Sequence, residues 1–139
     1  NRMTVIVTDK GFGTEDWTGG FVALTEVEAL PTAKAVDLAG TDDPTPLSNL
    51  LGQIDLIRIS FPAFSDGRGL TVARRLRMMG YKGRLRAHGP IVADQYAMAR
   101  RVGFDEVEIP DDLAARQPED QWRFRSDWRA HDYQSRLRA

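Results

Sequence analysis

The chain has 139 residues, of which 42% are hydrophobic and 28% charged, with a net charge of −1 and no cysteine. This is the composition of one globular domain with an adequate core, and it excludes wholesale disorder. The missing cysteines exclude disulfides, a thiolate nucleophile and a cysteine-held iron–sulfur cluster. No apolar run is long enough to span a bilayer, and the stretch Asn1-Arg2-Met3-Thr4-Val5-Ile6-Val7 lacks the apolar core and cleavage site of a signal peptide. The expectation is a cytoplasmic protein.

In chain order, Thr4-Val5-Ile6-Val7 is a short β run that ends in the turn Thr8-Asp9-Lys10-Gly11. Residues 11–20 are rich in glycine, threonine and acids and read as a loop ordered by Trp17. Residues 21–30 have helical composition, with Thr25 and Val27 leaving a strand open. Ala35-Val36-Asp37-Leu38 reads as a strand, residues 40–46 as a turn, and 47–51 as a short helical piece. From 55 to 110 the pattern is clearest: strands at 56–61, 85–88 and 104–109 alternate with amphipathic helices at 67–79 and 92–102. Gly80 and Gly103 close the two helices. Pro110-Asp111-Asp112 opens a further turn or helix. From Pro118 a helical tail begins, and its Trp122, Phe124, Trp128 and Tyr133 fall on no single stripe.

Two charge patterns stand out. Residues 1–65 carry four basic and nine acidic side chains, whereas 66–88 carry seven basic side chains and only Asp66. Such a block attracts anions or an acidic partner, but for Arg74, Arg75 and Arg77 a solvated helix face explains it as well. Within the strands, Arg58, Arg84, Arg86, Glu106 and Glu108 alternate with apolar residues, where a parallel sheet covered on both faces would be continuously hydrophobic. One face is therefore polar, with Arg84 or Arg86 pairing Glu106 or Glu108; it is either solvated or the interior of an incomplete barrel.

The motifs F-P-x-F-x-D-G-R-G, A-R-x-L-R, G-Y-x-G-x-L-R-A, D-Q and R-R-x-G-F-D run from Phe61 to about Ile109. On these the chain resembles the proteobacterial family called domain of unknown function 934, whose members carry the label "probable oxidoreductase" without an established reaction. The resemblance implies an accessory role beside assimilatory sulfite reductase or phosphoadenylyl-sulfate reductase, next to which such proteins tend to be encoded.

The residues themselves offer several candidate sites. Asp66-Gly67-Arg68-Gly69, at a strand-to-helix junction, suits a sulfate, phosphate or carboxylate held by backbone N–H groups and by Arg68, with Arg86 as a further cation. Helix capping by Asp66 and turn formation by the glycines explain the same residues. His88, at a strand end near Asp94, is a candidate acid or base; more often such a histidine only bonds backbone. Ser60 and Ser65 have no evident activating base and no G-x-S-x-G elbow. No G-x-G-x-x-G or P-loop is present, and His88 and His131 have no metal-site spacing, so neither cofactor nor metal is expected. Trp122 and Trp128 are read as anchors of a homodimer or partner interface, against the alternative that they cover the edge of their own sheet. Nothing suggests nucleic acid. The resulting expectation is a single α/β domain over 1–139 with a largely parallel sheet, Rossmann-like or a barrel fragment. Its role would be to bind a reductase or a sulfur oxyanion, with a small enzyme or a ligand-free homodimeric scaffold as rivals.

Overall fold

Residues 4–14, 16–17, 20–29, 34–63, 67–117, 119 and 122 are described in a computed structural model of the chain. Among the described residues seven strands form one sheet: β1 (Thr4–Thr8), β2 (Gly11–Gly13), β3 (Val22–Ala23), β4 (Ala35–Ala39), β5 (Leu56–Ser60), β6 (Arg84–His88) and β7 (Glu106–Pro110). Their spatial order is β2-β1-β7-β6-β5-β4-β3. Strands β3 to β7 are all parallel and lie in sequence order; β1 pairs antiparallel with β7, and β2 antiparallel with β1. Helix α1 (Arg68–Met78) connects β5 to β6, α2 (Ala93–Val102) connects β6 to β7, and α3 (Asp111–Arg116) follows β7.

A monotonic strand order decides between the two architectures expected. Every right-handed crossover then steps the same way and leaves its helix on the same face, and α1 and α2 do touch each other. A doubly wound sheet reverses its order at a switch point and places helices on both faces. The winding here is that of a barrel fragment.

The two faces follow from the alternation along each strand. Val5 and Val7, Val36 and Leu38, Ile57 and Ile59, Leu85 and Ala87, and Val107 and Ile109 join Val72, Ala73 and Leu76 of α1 and Tyr96 and Ala99 of α2 in one apolar core. The opposite face carries Asp37, Arg58, Arg84, Arg86, Glu106 and Glu108. There Arg86 Nε donates to Glu106 Oε2 at 2.6 Å and Arg86 Nη1 to Glu108 Oε1 at 3.1 Å. Arg84 Nη2 donates to Glu106 Oε2 at 2.9 Å, so the cross-strand pairing expected between β6 and β7 is present. Arg58 donates to both carboxylate oxygens of Asp37 (2.6 and 2.8 Å) and through Nη1 to Glu108 (3.1 Å).

The N-terminal segments differ from expectation because tertiary pairing overrides local composition. Residues 11–13, expected in a loop, form a hairpin with β1. Residues 21–30, expected to be helical, give β3 and then a 3-10 segment at Leu24–Ala29; the 47–51 piece is replaced by 3-10 turns at Thr45–Leu47 and Leu51–Gln53. Strands β2 and β3, nine residues apart, sit at opposite edges of the sheet. Between them Asp16 and Phe21 lie against the polar face: Asp16 Oδ1 accepts from Arg84 Nη2 at 2.9 Å, and the Phe21 ring centre lies 4.0 Å from the Arg58 guanidinium carbon.

Two further expectations are corrected by packing. Arg77 does not belong to a solvated face. Its Nε and Nη2 donate to the Gly103 carbonyl (3.0 and 2.7 Å) and its Nη1 to the carbonyls of Tyr81 and Gly83, so it ties the end of α1 to the end of α2. Trp122, read as an interface anchor, is 1% exposed within its own chain. It stacks edge-on against Phe12 and Tyr96, and its Nε1 donates to the Gln117 carbonyl at 2.8 Å. Trp128, with Phe124, Tyr133 and the rest of 123–139, lies outside the described residues. Trp122→Ala is expected to cost about 3–5 kcal/mol, the scale of an aromatic core truncation. A lowered melting temperature with an unchanged sedimentation profile is the outcome that checks this.

Candidate functional site

Strands β4, β5, β6 and β7 end on the same edge of the sheet, where parallel α/β architectures place their ligand sites. A cavity of about 150 Å³ opens there between residues 39–41 after β4, 60–62 after β5, and 68–69 at the start of α1. Its polar members are Thr41, Ser60 and Arg68; Ala39, Phe61 and Pro62 supply most of the remainder. Glycine makes the close approach possible. A Cβ on Gly69 would lie 2.4 Å from the Phe61 ring, and one on Gly40 would lie 3.0 Å from the Gly69 nitrogen. The glycines of the D-G-R-G motif thus have distinct roles, since Gly69 lets α1 begin directly on the strand ends. Gly67 caps the helix at φ −69° with no side-chain cap bond. Asp66, the cap expected, lies outside the described residues, as does Ser65.

The other expected site residues are dispersed. Arg86, grouped with the anion-binding residues, is fully buried in the ion network of the polar face, where Glu106 and Glu108 take its donors. It is no open anion receptor. Asp94 is an exposed residue in the first turn of α2. The cap there is Gln95, whose Oε1 accepts from the Val92 N–H at 3.0 Å. His88, expected beside Asp94, instead presents Nε2 to Glu108 Oε2 at 3.6 Å. Burial lowers the His88 pKa below its ordinary value of 6.5, outweighing the opposing pull of Glu108; Arg58 and Arg86 act with burial, and Asp37 against it. Ser60, for which no base was evident, has His88 as its direct register partner on β6. That pairing joins residues 28 positions apart, and only strand register reveals it.

The basic block of 66–88 is largely accounted for by the fold. Arg77 is a helix staple, Arg84 and Arg86 belong to the polar face, and Arg75 bridges Asp43 at 3.1 Å. Arg68, Arg74, Arg75 and Lys82 are its exposed members. Among the described residues no group of three or more His, Cys, Asp or Glu side chains is placed to hold a metal ion, and no helix is long and apolar enough to cross a membrane.

Two outcomes test this geometry. Removing one partner of a buried ion pair leaves the others uncompensated, so Arg86→Met should cost about 3–5 kcal/mol in denaturant unfolding, whereas Arg74→Ala should leave the midpoint unchanged. For His88, a lowered folded pKa means that the unfolded chain binds its proton first. The stability it contributes is present above about pH 6.5 and is lost as pH falls below it. In an NMR titration the His88 ring should show a midpoint under 6.5, and His88→Asn should flatten the acid limb of the melting profile between about pH 7 and 5.

No curated protein and no solved structure matches the chain. Residues 35–139, about three quarters of its length, match the family described as "Bacterial protein of unknown function (DUF934)". The resemblance carried by the Phe61–Ile109 motifs lies within that match, and the chain belongs to this family.

Proposed function

We propose that the protein is an accessory protein of assimilatory sulfate or sulfite reduction that holds a small sulfur oxyanion in the cavity at the strand ends. The single observation that carries the ligand reading is the cavity itself. Arg68, the N-terminal turn of α1 and the hydroxyl-bearing Thr41 and Ser60 converge on a space of about 150 Å³. Sites for nucleotide- or drug-sized molecules run to roughly 300–1,000 Å³, so free sulfite or sulfate suits this volume and phosphoadenylyl sulfate does not. A helix N-terminus and a guanidinium both favour negative charge. The pathway rests on the family resemblance alone, whose members tend to be encoded beside the reductases.

Docking onto a reductase is the second reading. It is favoured by Met78 and Met98, 85% and 51% exposed on the neighbouring helices α1 and α2. The two roles are compatible.

Isothermal titration of the whole chain with sulfite and with sulfate, against a chloride background, tests the ligand reading. Arg68→Ala should weaken binding by about 1.5–3 kcal/mol, the scale of a charge-assisted hydrogen bond. Equal affinity for wild type and variant, or no heat of binding with either anion, overturns it. Co-sedimentation with purified sulfite reductase and with phosphoadenylyl-sulfate reductase, using Met78→Lys as the variant, tests the docking role.

A further inference from the structure

Three side chains at the carboxyl edge of the polar face fall into one row. Ser60 on β5 is the register partner of His88 on β6, and His88 is the partner of Glu108 on β7. Directly opposed residues of parallel strands project from the same face, and neighbouring strands lie ~4.8 Å apart. The Ser60 and His88 side chains are thus neighbours on the polar face. Glu108 is held by three donors: Thr4 Oγ1 at 3.1 Å, Arg58 Nη1 at 3.1 Å and Arg86 Nη1 at 3.1 Å. His88 Nε2 lies 3.6 Å from Glu108 Oε2. At the far end of the row Ser60 lines the cavity, beside Arg68 and Gly69 of the first turn of α1.

We propose that Ser60, His88 and Glu108 form a hydroxyl–imidazole–carboxylate site, with Ser60 Oγ as nucleophile toward the short acyl group of an ester or thioester bound in the cavity. A proton on Nε2 faces Glu108 and leaves the lone pair on Nδ1. Nδ1 takes the hydroxyl proton as Ser60 Oγ bonds to the carbonyl carbon; the carbonyl electron pair moves onto oxygen, beside the N-terminal turn of α1. Collapse of this adduct breaks the bond to the leaving group, which departs with the proton held by the imidazole. Water then attacks the acyl-serine with the same proton relay and releases a carboxylic acid and free Ser60. Because burial lowers the His88 pKa, the imidazole is in its neutral, proton-accepting form at pH 7. A volume of about 150 Å³ admits an acyl group of a few heavy atoms, with the remainder of the substrate outside; Arg68 is among the residues that line it.

The test uses the full chain with a fluorophosphonate probe, which phosphonylates activated serines, read by intact mass and peptide mapping. A single adduct on Ser60 is expected, absent from Ser60→Ala and from the urea-unfolded chain. His88→Asn should slow labelling by about 100-fold or more, the scale of general-base assistance, while circular dichroism shows both variants folded. p-Nitrophenyl acetate should give an acetyl adduct on the same serine. Labelling of Ser60 no faster than in the unfolded chain, or equally fast in His88→Asn, overturns the proposal. The probe involves no sulfur oxyanion, so this outcome is independent of the titrations with sulfite and sulfate.

Discussion

Arg86 has no exposed surface, and a guanidinium taken out of water must be matched by charge and hydrogen bonds. Much of the polar half of the molecule follows from that need. Glu106 and Glu108, each 5% exposed, can be buried because Arg86 and its neighbours saturate them. Arg58 is shared between Asp37 on one side and Glu108 on the other, so the network links β4, β5, β6 and β7 through side chains as well as through the ladder. Asp16 and Phe21, from the connection between β2 and β3, lie against two of the arginines. Replacing such a network by apolar residues can leave stability unchanged, whereas removing one member cannot. Its value lies in fixing register. A one-residue slip of β6 would turn Arg84 and Arg86 into the apolar core.

What the sequence makes legible is what local pattern encodes. The alternation of Arg84, Leu85, Arg86 and Ala87 against Glu106, Val107, Glu108 and Ile109 announces a two-faced sheet and the pairing between its strands. The structure has both. Gly103 closes its helix at φ +126° as the motif suggests. By contrast, the hairpin of residues 11–13 and the brief strand at 22–23 owe their extended form to the edges they meet. Gly-Phe-Gly has no local preference for a strand, and Phe-Val-Ala-Leu suits a helix as well as a strand. Of the two readings open for Trp122, the structure has the one in which it packs within its own chain; the sequence does not decide because its pocket is built by Phe12 and Tyr96, distant in sequence.

The site was legible only in part. A glycine-rich junction after a strand marks the correct edge of the sheet, and Arg68 and Gly69 do line the cavity there. Thr41 and Ser60 join it because β4 and β5 are neighbours, which depends on strand order. Arg86 illustrates the converse error. A cation counted in a basic block looks available, yet two carboxylates on the adjacent strand already occupy it. Charge read along a chain says little until the third dimension shows which charges are consumed internally.

The antiparallel pairing of β1 with β7 matches Val5 with Ile109 and Val7 with Val107, so residues about a hundred positions apart are direct neighbours. Closing a loop of that length is the costliest chain-entropy step in the fold. A chain emerging amino-terminus first presents Thr4–Thr8 long before Glu106–Pro110 exists to receive it. During synthesis the first strand must therefore wait with Val5, Ile6 and Val7 exposed, an apolar edge of the kind that invites aggregation. The 55–110 unit, made of shorter-range contacts, is the part that can assemble first and serve as the template onto which the beginning of the chain is laid last.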